Sequence, residues 1–267
     1  MNIGDQLYKV VFESRSKLFL NGEMVQLTWG AFDIAANSLR SSTEDEVTIT
    51  YPLGLLPDKT PIQGKWTYKK EQLLEKYTFL AVHQLAVNGL YQLVATVEAM
   101  FGDVVRSLVL KYPQKLGSKR TIPLCEVLEA SSIEEMHLRA ADALLNDLSY
   151  KSPKEFAEAV EAIISFNILE CPSYHRYMEV KASRDIFVHN MGVANEIYLR
   201  KASTHARCKT GAVLPADPQY FLESYETCIQ LTEWLEEQLH ARWHSNEREE
   251  RQNQQKSKPD GNNSSDA

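Results

Sequence analysis

Ten apolar residues between Leu73 and Leu108 (Leu73, Tyr77, Leu80, Leu90, Tyr91, Val94, Val97, Phe101, Val105 and Leu108) recur mostly at intervals of three or four. That spacing puts them on one side of a helix and predicts helical structure from about Trp66 to Lys111. Gly89 and Gly102 are points where it would bend or split, and Pro113 and Gly117 mark its exit. A second stripe, Phe221, Tyr225, Cys228, Thr232, Leu235 and Leu239, alternates four and three and predicts a last long helix that faces the bundle or, as the alternative, a partner helix. Between them, Ser132-Ile-Glu-Glu135 reads as a capping box ahead of Ile133, Met136, Ala140, Leu144 and Leu145. Ser152-Pro153-Lys154-Glu155 is the clearest helix start, with a serine cap and proline in the first turn, and Phe156, Val160, Ile163 and Ile164 form the apolar face after it. These patterns predict an all-α fold, a bundle of four to five helices over residues 65–243.

The flanks read differently. Residues 1–64 mix a short helix over Leu27 to Leu39 with a strand at Val47-Thr-Ile-Thr-Tyr51, then Pro52, Gly54, Pro57, Pro61 and Gly64, and are expected to form a short mixed N-terminal accessory segment. Residues 244–267 are rich in Asn, Gln, Ser, Lys, Asp and Glu, and are expected to be a disordered polar tail.

With 267 residues, 43% hydrophobic and 24% charged, the chain has ample material for a buried core. No apolar run approaches the roughly 20 residues that cross a bilayer, and the N-terminal residues lack the basic start and apolar middle of a signal peptide, so a cytoplasmic protein with no membrane partner is expected. Cys125, Cys171, Cys208 and Cys228 form no CxxC pair, which predicts reduced structural thiols. Cys171 with His175 and His205 with Cys208 would complete a four-ligand zinc site, but the spacing is loose and no metal or other cofactor is expected. The chain has no GxxxxGK, HExxH or GxSxG sequence, which disfavours nucleotide hydrolases, zinc proteases and serine hydrolases. A formal charge of -7 argues against a protein coated in nucleic acid. Residues 175–210 are the exception: seven Lys and Arg stand against Glu179, Asp185 and Glu196.

Within that basic island lies Lys181-Ala-Ser-Arg-Asp-Ile-Phe-Val-His-Asn190. On a helix, Asp185 and His189 are four apart and share a face, so the carboxylate is placed to orient the imidazole. Arg184 is five residues from His189, about 140° around the axis. A long guanidinium stem, a distorted helix or a second copy of the chain is needed to bring both groups to one phosphate. Met178, Ile186, Val193 and Ile197 are candidate core positions of this segment, with Gly192 a blemish in the helix.

Arg184-Asp185-x-x-x-His189, near the start of a late helix in a helical bundle, resembles the R-x4-6-H motif of the HEPN domain superfamily. Val193-Ala-Asn-Glu-Ile-Tyr-Leu-Arg-Lys-Ala202 is similar to the segment after the motif in HEPN proteins of bacterial defence and toxin loci. The resemblance covers about residues 66–243. It implies a metal-independent endoribonuclease that acts as a homodimer, a toxin or phage-defence effector with a cognate antitoxin or inhibitor as a further partner. Arg184 and His189 would be catalytic, with Asp185 fixing the imidazole tautomer and Asn190, Lys181 and Arg176 contacting RNA. RNA supplies its own 2′-hydroxyl nucleophile, so an acid, a base and a cation suffice. The alternative is a catalytically inactive HEPN-like module that binds RNA or protein. Tyr174 and Tyr177, beside His175 and Arg176, either stack on single-stranded RNA or pack the preceding loop against the core. His83 and His137 are expected to be structural.

Overall fold

A computed structural model describes residues 1–117, 123–149 and 153–256. The fold is mostly helical, with a single two-stranded ribbon among the described residues. In chain order the elements are α1 (Ile3–Ser41), β1 (Glu46–Leu55), β2 (Pro61–Lys69), α2 (Lys70–Phe79), α3 (Leu85–Lys111), α4 (Leu124–Glu129), α5 (Ile133–Ser149), α6 (Pro153–Ile164), α7 (Tyr174–His189), α8 (Glu196–Ala202), α9 (Pro218–Trp243) and α10 (Asn246–Lys256).

Helix α3 is the axis of the bundle. Leu90, Leu93, Val94, Val97, Met100, Val104, Val105, Leu108 and Val109 are fully buried, more than one face can hold, so α3 is enclosed on several sides. Helices α1, α5, α6, α7 and α9 all pack against it. Close approach needs small residues at the crossings. A Cβ at Gly89 would lie 2.3 Å from a ring carbon of Phe221 on α9, so Gly89 seats that ring and does not bend the helix. The irregularity falls earlier, in a π-helical turn over Leu80–Gln84 that joins α2 to α3. There the Trp29 indole N–H donates to the Ala81 carbonyl at 2.7 Å.

The N-terminal region departs most from expectation. Helix α1 runs for 39 residues, and Leu7, Val11, Leu18 and Val25 belong to the same core as α3 and α9. Its first half is therefore part of the bundle. Beyond Val25 most of α1 is exposed and carries the antiparallel ribbon β1–β2, in which Val47 pairs with Tyr68 and Ile49 with Trp66. Trp66 thus lies in a strand, and the helical stretch begins at Lys70. The ribbon covers little core, and its rings pack on each other, Tyr51 stacking on Trp66 at 6.1 Å between centroids.

At the C-terminal end, residues 246–256 form α10 and so are not part of a disordered tail; residues 257–267 lie outside the described residues. With no buried residue of its own, α10 is held by polar contacts. Asp5 accepts from the Ser245 hydroxyl at 3.0 Å and from the Glu247 N–H at 3.1 Å. Glu236 of α9 sits between Arg15 of α1 and Arg248 of α10, and the Arg251 guanidinium lies over the Phe12 ring. The capping box opening α5 is present in shifted form: Ser132 Oγ accepts from the Glu135 N–H at 3.1 Å, and the Glu135 carboxylate reaches back to the N–H and hydroxyl of Ser131. Those bonds hold the Glu135 carboxyl down at about 2. Pro153 opens α6 as expected, while its serine cap, Ser152, lies outside the described residues. No helix among the described residues is long and apolar enough to cross a membrane.

Candidate functional site

Helix α7 carries two charged clusters. The inner one centres on Glu179, 3% exposed. One carboxylate oxygen accepts from Ser183 Oγ at 2.6 Å, the Tyr198 hydroxyl at 3.0 Å and Arg207 Nε at 3.0 Å, and the other from the Tyr220 hydroxyl at 2.9 Å. Every donor is local to the bundle, so the buried charge is satisfied as burial demands. Arg207 also lies over the Tyr220 ring, 3.2 Å from its centroid, and donates to the Pro215 carbonyl. Burial, with the charge of Glu179 adding to it, pushes Tyr198 up to about 12 and raises Tyr220 further.

This network pins the chain beyond α7. The helix ends at His189, Met191 and Gly192 take left-handed φ angles of 49° and 78°, and Asn195 caps α8 by accepting from the Tyr198 N–H at 2.9 Å. Gly192 is therefore a turn residue that needs its positive φ, and the helix of the motif does not run through it. Val193 is only partly buried and Ile197 is 53% exposed, so neither is a core position, whereas Met178 and Ile186 are.

The outer cluster faces a cleft of about 520 Å³ bounded by α3, α7 and α8. Lys181, Arg184, Asp185, His189 and Asn190 all line it. Arg184 and His189 thus share one cleft within a single chain despite their angular offset. The Glu98 carboxylate, reaching across from α3, accepts from Lys181 with one oxygen and from Arg184 with the other. Asp185 pairs with Lys201 Nζ at 3.2 Å and with a terminal nitrogen of Arg184 at 3.4 Å. Arg184 Nε is buried and has no hydrogen-bond partner among the described residues.

Three expected roles change. Asp185 is held by Lys201 and Arg184, and among the described residues the exposed His189 imidazole has no hydrogen-bond partner, so Asp185 does not fix its tautomer here. The Asn190 side chain donates to the Val193 carbonyl and braces the turn, although it lines the cleft. Arg176 lies near the other end of α7, paired with Glu223 of α9, and takes no part in the cleft. Tyr174 and Tyr177 are buried in the core, which removes them as stacking platforms for RNA. His83 contacts the Ala216 carbonyl at 3.1 Å, a structural role as expected.

Glu98 and Lys201 are the charged cleft residues that sequence reasoning did not assign. Glu98 had a signal: it is the first charged residue of α3, thirteen positions into an apolar helix, and a charge there needs a partner. Cys171, His175, His205 and Cys208 do not assemble into a metal-ligating group among the described residues; His240, His244 and Glu249 lie close enough together to do so. Yet His240 Nδ1 accepts the Ser245 N–H at 3.1 Å, which leaves the ring proton on Nε2, facing Glu249. That nitrogen has no free lone pair for a metal, so the group is a contact between α9 and α10.

Comparison with protein families, with curated proteins and with solved structures found no match to this chain. Its function is argued from the cleft.

Proposed function

We propose that the chain is a HEPN-like endoribonuclease that cleaves RNA by attack of the 2′-hydroxyl on the adjacent phosphodiester, without a metal, and acts as a homodimer. The observation that carries this reading is the gathering of Lys181, Arg184, Lys201 and the exposed His189 around one cleft. Three fixed cations against Glu98 and Asp185 leave a surplus positive charge for a phosphate. His189, unencumbered and at the end of α7, is placed to exchange a proton with a bound ribose or leaving oxygen. A second copy is favoured by the apolar surface beside His189, where Met191 is 92%, Val213 71%, Ile197 53% and Val188 47% exposed. A toxin or phage-defence role rests on the sequence resemblance and not on the cleft.

One observation favours a second reading, an inactive module that binds RNA: the two carboxylates already occupy Arg184, so a phosphate has to displace one of them. The assay is end-labelled RNA incubated with the purified protein in EDTA. Cleavage to 2′,3′-cyclic phosphate and 5′-hydroxyl ends is expected, slowed about 10²- to 10⁴-fold by His189→Ala and by Arg184→Ala. Loss of cleavage in EDTA, or full activity in both variants, removes the ribonuclease reading. RNA binding without cleavage establishes the module.

A further inference from the structure

We propose that a second cavity, bounded by α3, α5, α6 and α7, is a nucleobase pocket that seats one base of the RNA whose phosphate lies in the cleft. The inference rests on the RNA reading above and names the part of the substrate that the cleft leaves unbound. The cavity has a volume of about 390 Å³, within the range that accepts small organic ligands. Glu98 and Lys181 line both spaces, so the two are neighbours across one ion pair. A ligand that fills both must have an anionic part and an adjoining uncharged part, as a nucleotide does.

The walls select the uncharged part. Phe101, Phe156, Leu145, Leu148 and Met178 provide apolar and aromatic surface, against which a planar ring stacks irrespective of its sequence identity. Phe101 and Phe156 are already packed edge to face at 5.7 Å, so the aromatic wall is preformed. The polar groups, Glu98, Lys181 and Arg106, offer an acceptor and donors to the edge of a heterocycle. Tyr177 adds to the wall a buried hydroxyl with no partner among the described residues, a donor that a base carbonyl would satisfy. A hydrocarbon chain would leave the Tyr177 hydroxyl unpaired.

Gly102 provides the test. A Cβ there would lie 3.1 Å from an Arg106 terminal nitrogen and 3.7 Å from a Leu145 methyl, both part of the cavity wall, and Gly102 does not line the phosphate cleft. Gly102→Leu therefore fills the cavity, and it replaces a poor helix former by a good one. The full chain, labelled at its Leu and Met methyl groups, is titrated with the four ribonucleoside 3′-monophosphates and, separately, with inorganic phosphate. At least one nucleotide is expected to shift the methyl resonances of Leu145, Leu148 and Met178, and phosphate is not. Gly102→Leu is expected to weaken that nucleotide about tenfold or more, and Tyr177→Phe, which deletes only the unpartnered hydroxyl, about fivefold. The proposal is overturned if no nucleotide moves those methyl groups, or if both variants bind as the wild type does. The cleavage assay reports separately: cleavage with no methyl shift removes the pocket and keeps the ribonuclease, and methyl shifts with no cleavage do the reverse.

Discussion

Two of the carboxylates at α7, Glu179 and Glu98, are surrounded by similar chemistry and differ in closure. Glu179 is 3% exposed and collects four donors from α7, α8, α9 and the connection between the last two, so each lone-pair direction it uses points at protein. The side chain of Glu98 is 36% exposed, faces two cations across a cleft, and leaves Arg184 Nε without a partner. A closed cluster fixes geometry. An open one, with more cations than carboxylates, has room for an anion from outside. Exposure and leftover donors, more than the presence of charge, separate the scaffold from the candidate site.

Glu179→Ala is the strongest challenge to that contrast. It strands Arg207 and two tyrosine hydroxyls in the interior and is expected to cost about 3–5 kcal/mol in urea unfolding. A loss under about 1 kcal/mol would place Glu179 with the surface pairs and erase the distinction. The closed cluster also predicts a pH dependence. Tyr198 has its folded pKa raised by burial to about 12, while an unfolded tyrosine titrates near about 10. Between those values the folded state holds the proton that the unfolded state has released, so stability falls as pH rises through that window, by on the order of 2 kcal/mol. Unfolding curves at pH 9 and pH 11 are expected to differ less in Tyr198→Phe; an unchanged difference would show that this tyrosine is not held protonated by its surroundings. The smallest stability effect belongs to the open cluster. Glu98→Gln is expected to change stability by less than about 1 kcal/mol, because the carboxylate is partly solvated. It should nevertheless tighten RNA binding and steepen its salt dependence, since two cations are released to phosphate. Fluorescence anisotropy at several salt concentrations reads this, and weaker binding would mean that Glu98 holds Lys181 and Arg184 in place for the ligand.

Legibility in the sequence divides along the same line. Helices α3 and α9 were readable because their apolar stripes are long and uninterrupted, and α6 because proline and glutamate mark its start. The first half of α1 was not, because Leu7, Val11, Leu18 and Val25 are spaced by four and seven with polar residues between, a narrow seam that becomes a signal only when α3 and α9 are beside it. Helix α10 was missed because its composition is that of an unfolded segment; contacts from Asp5, Phe12 and Glu236, at least ten residues away, give it its place. For the site, local spacing was enough to single out Arg184, Asp185 and His189. It was not enough to assign their partners, because Glu98 is 86 residues from Arg184 and Lys201 is 16 from Asp185. An i, i+4 relation says that two side chains can meet, and a nearby lysine decided that Asp185 and His189 do not.

The carboxylate of Asp5 touches residues about 240 positions later in the chain. During synthesis α1 is made first, yet the surfaces that cover Leu7, Val11 and Leu18 arrive with α3 and α9, and the bonds that fasten its first turn arrive with α10. The apolar seam of α1 therefore stays partly uncovered until α9 has been made, and its long-range topology makes the final docking step slow relative to helix formation. The fold is one in which the beginning waits for the end.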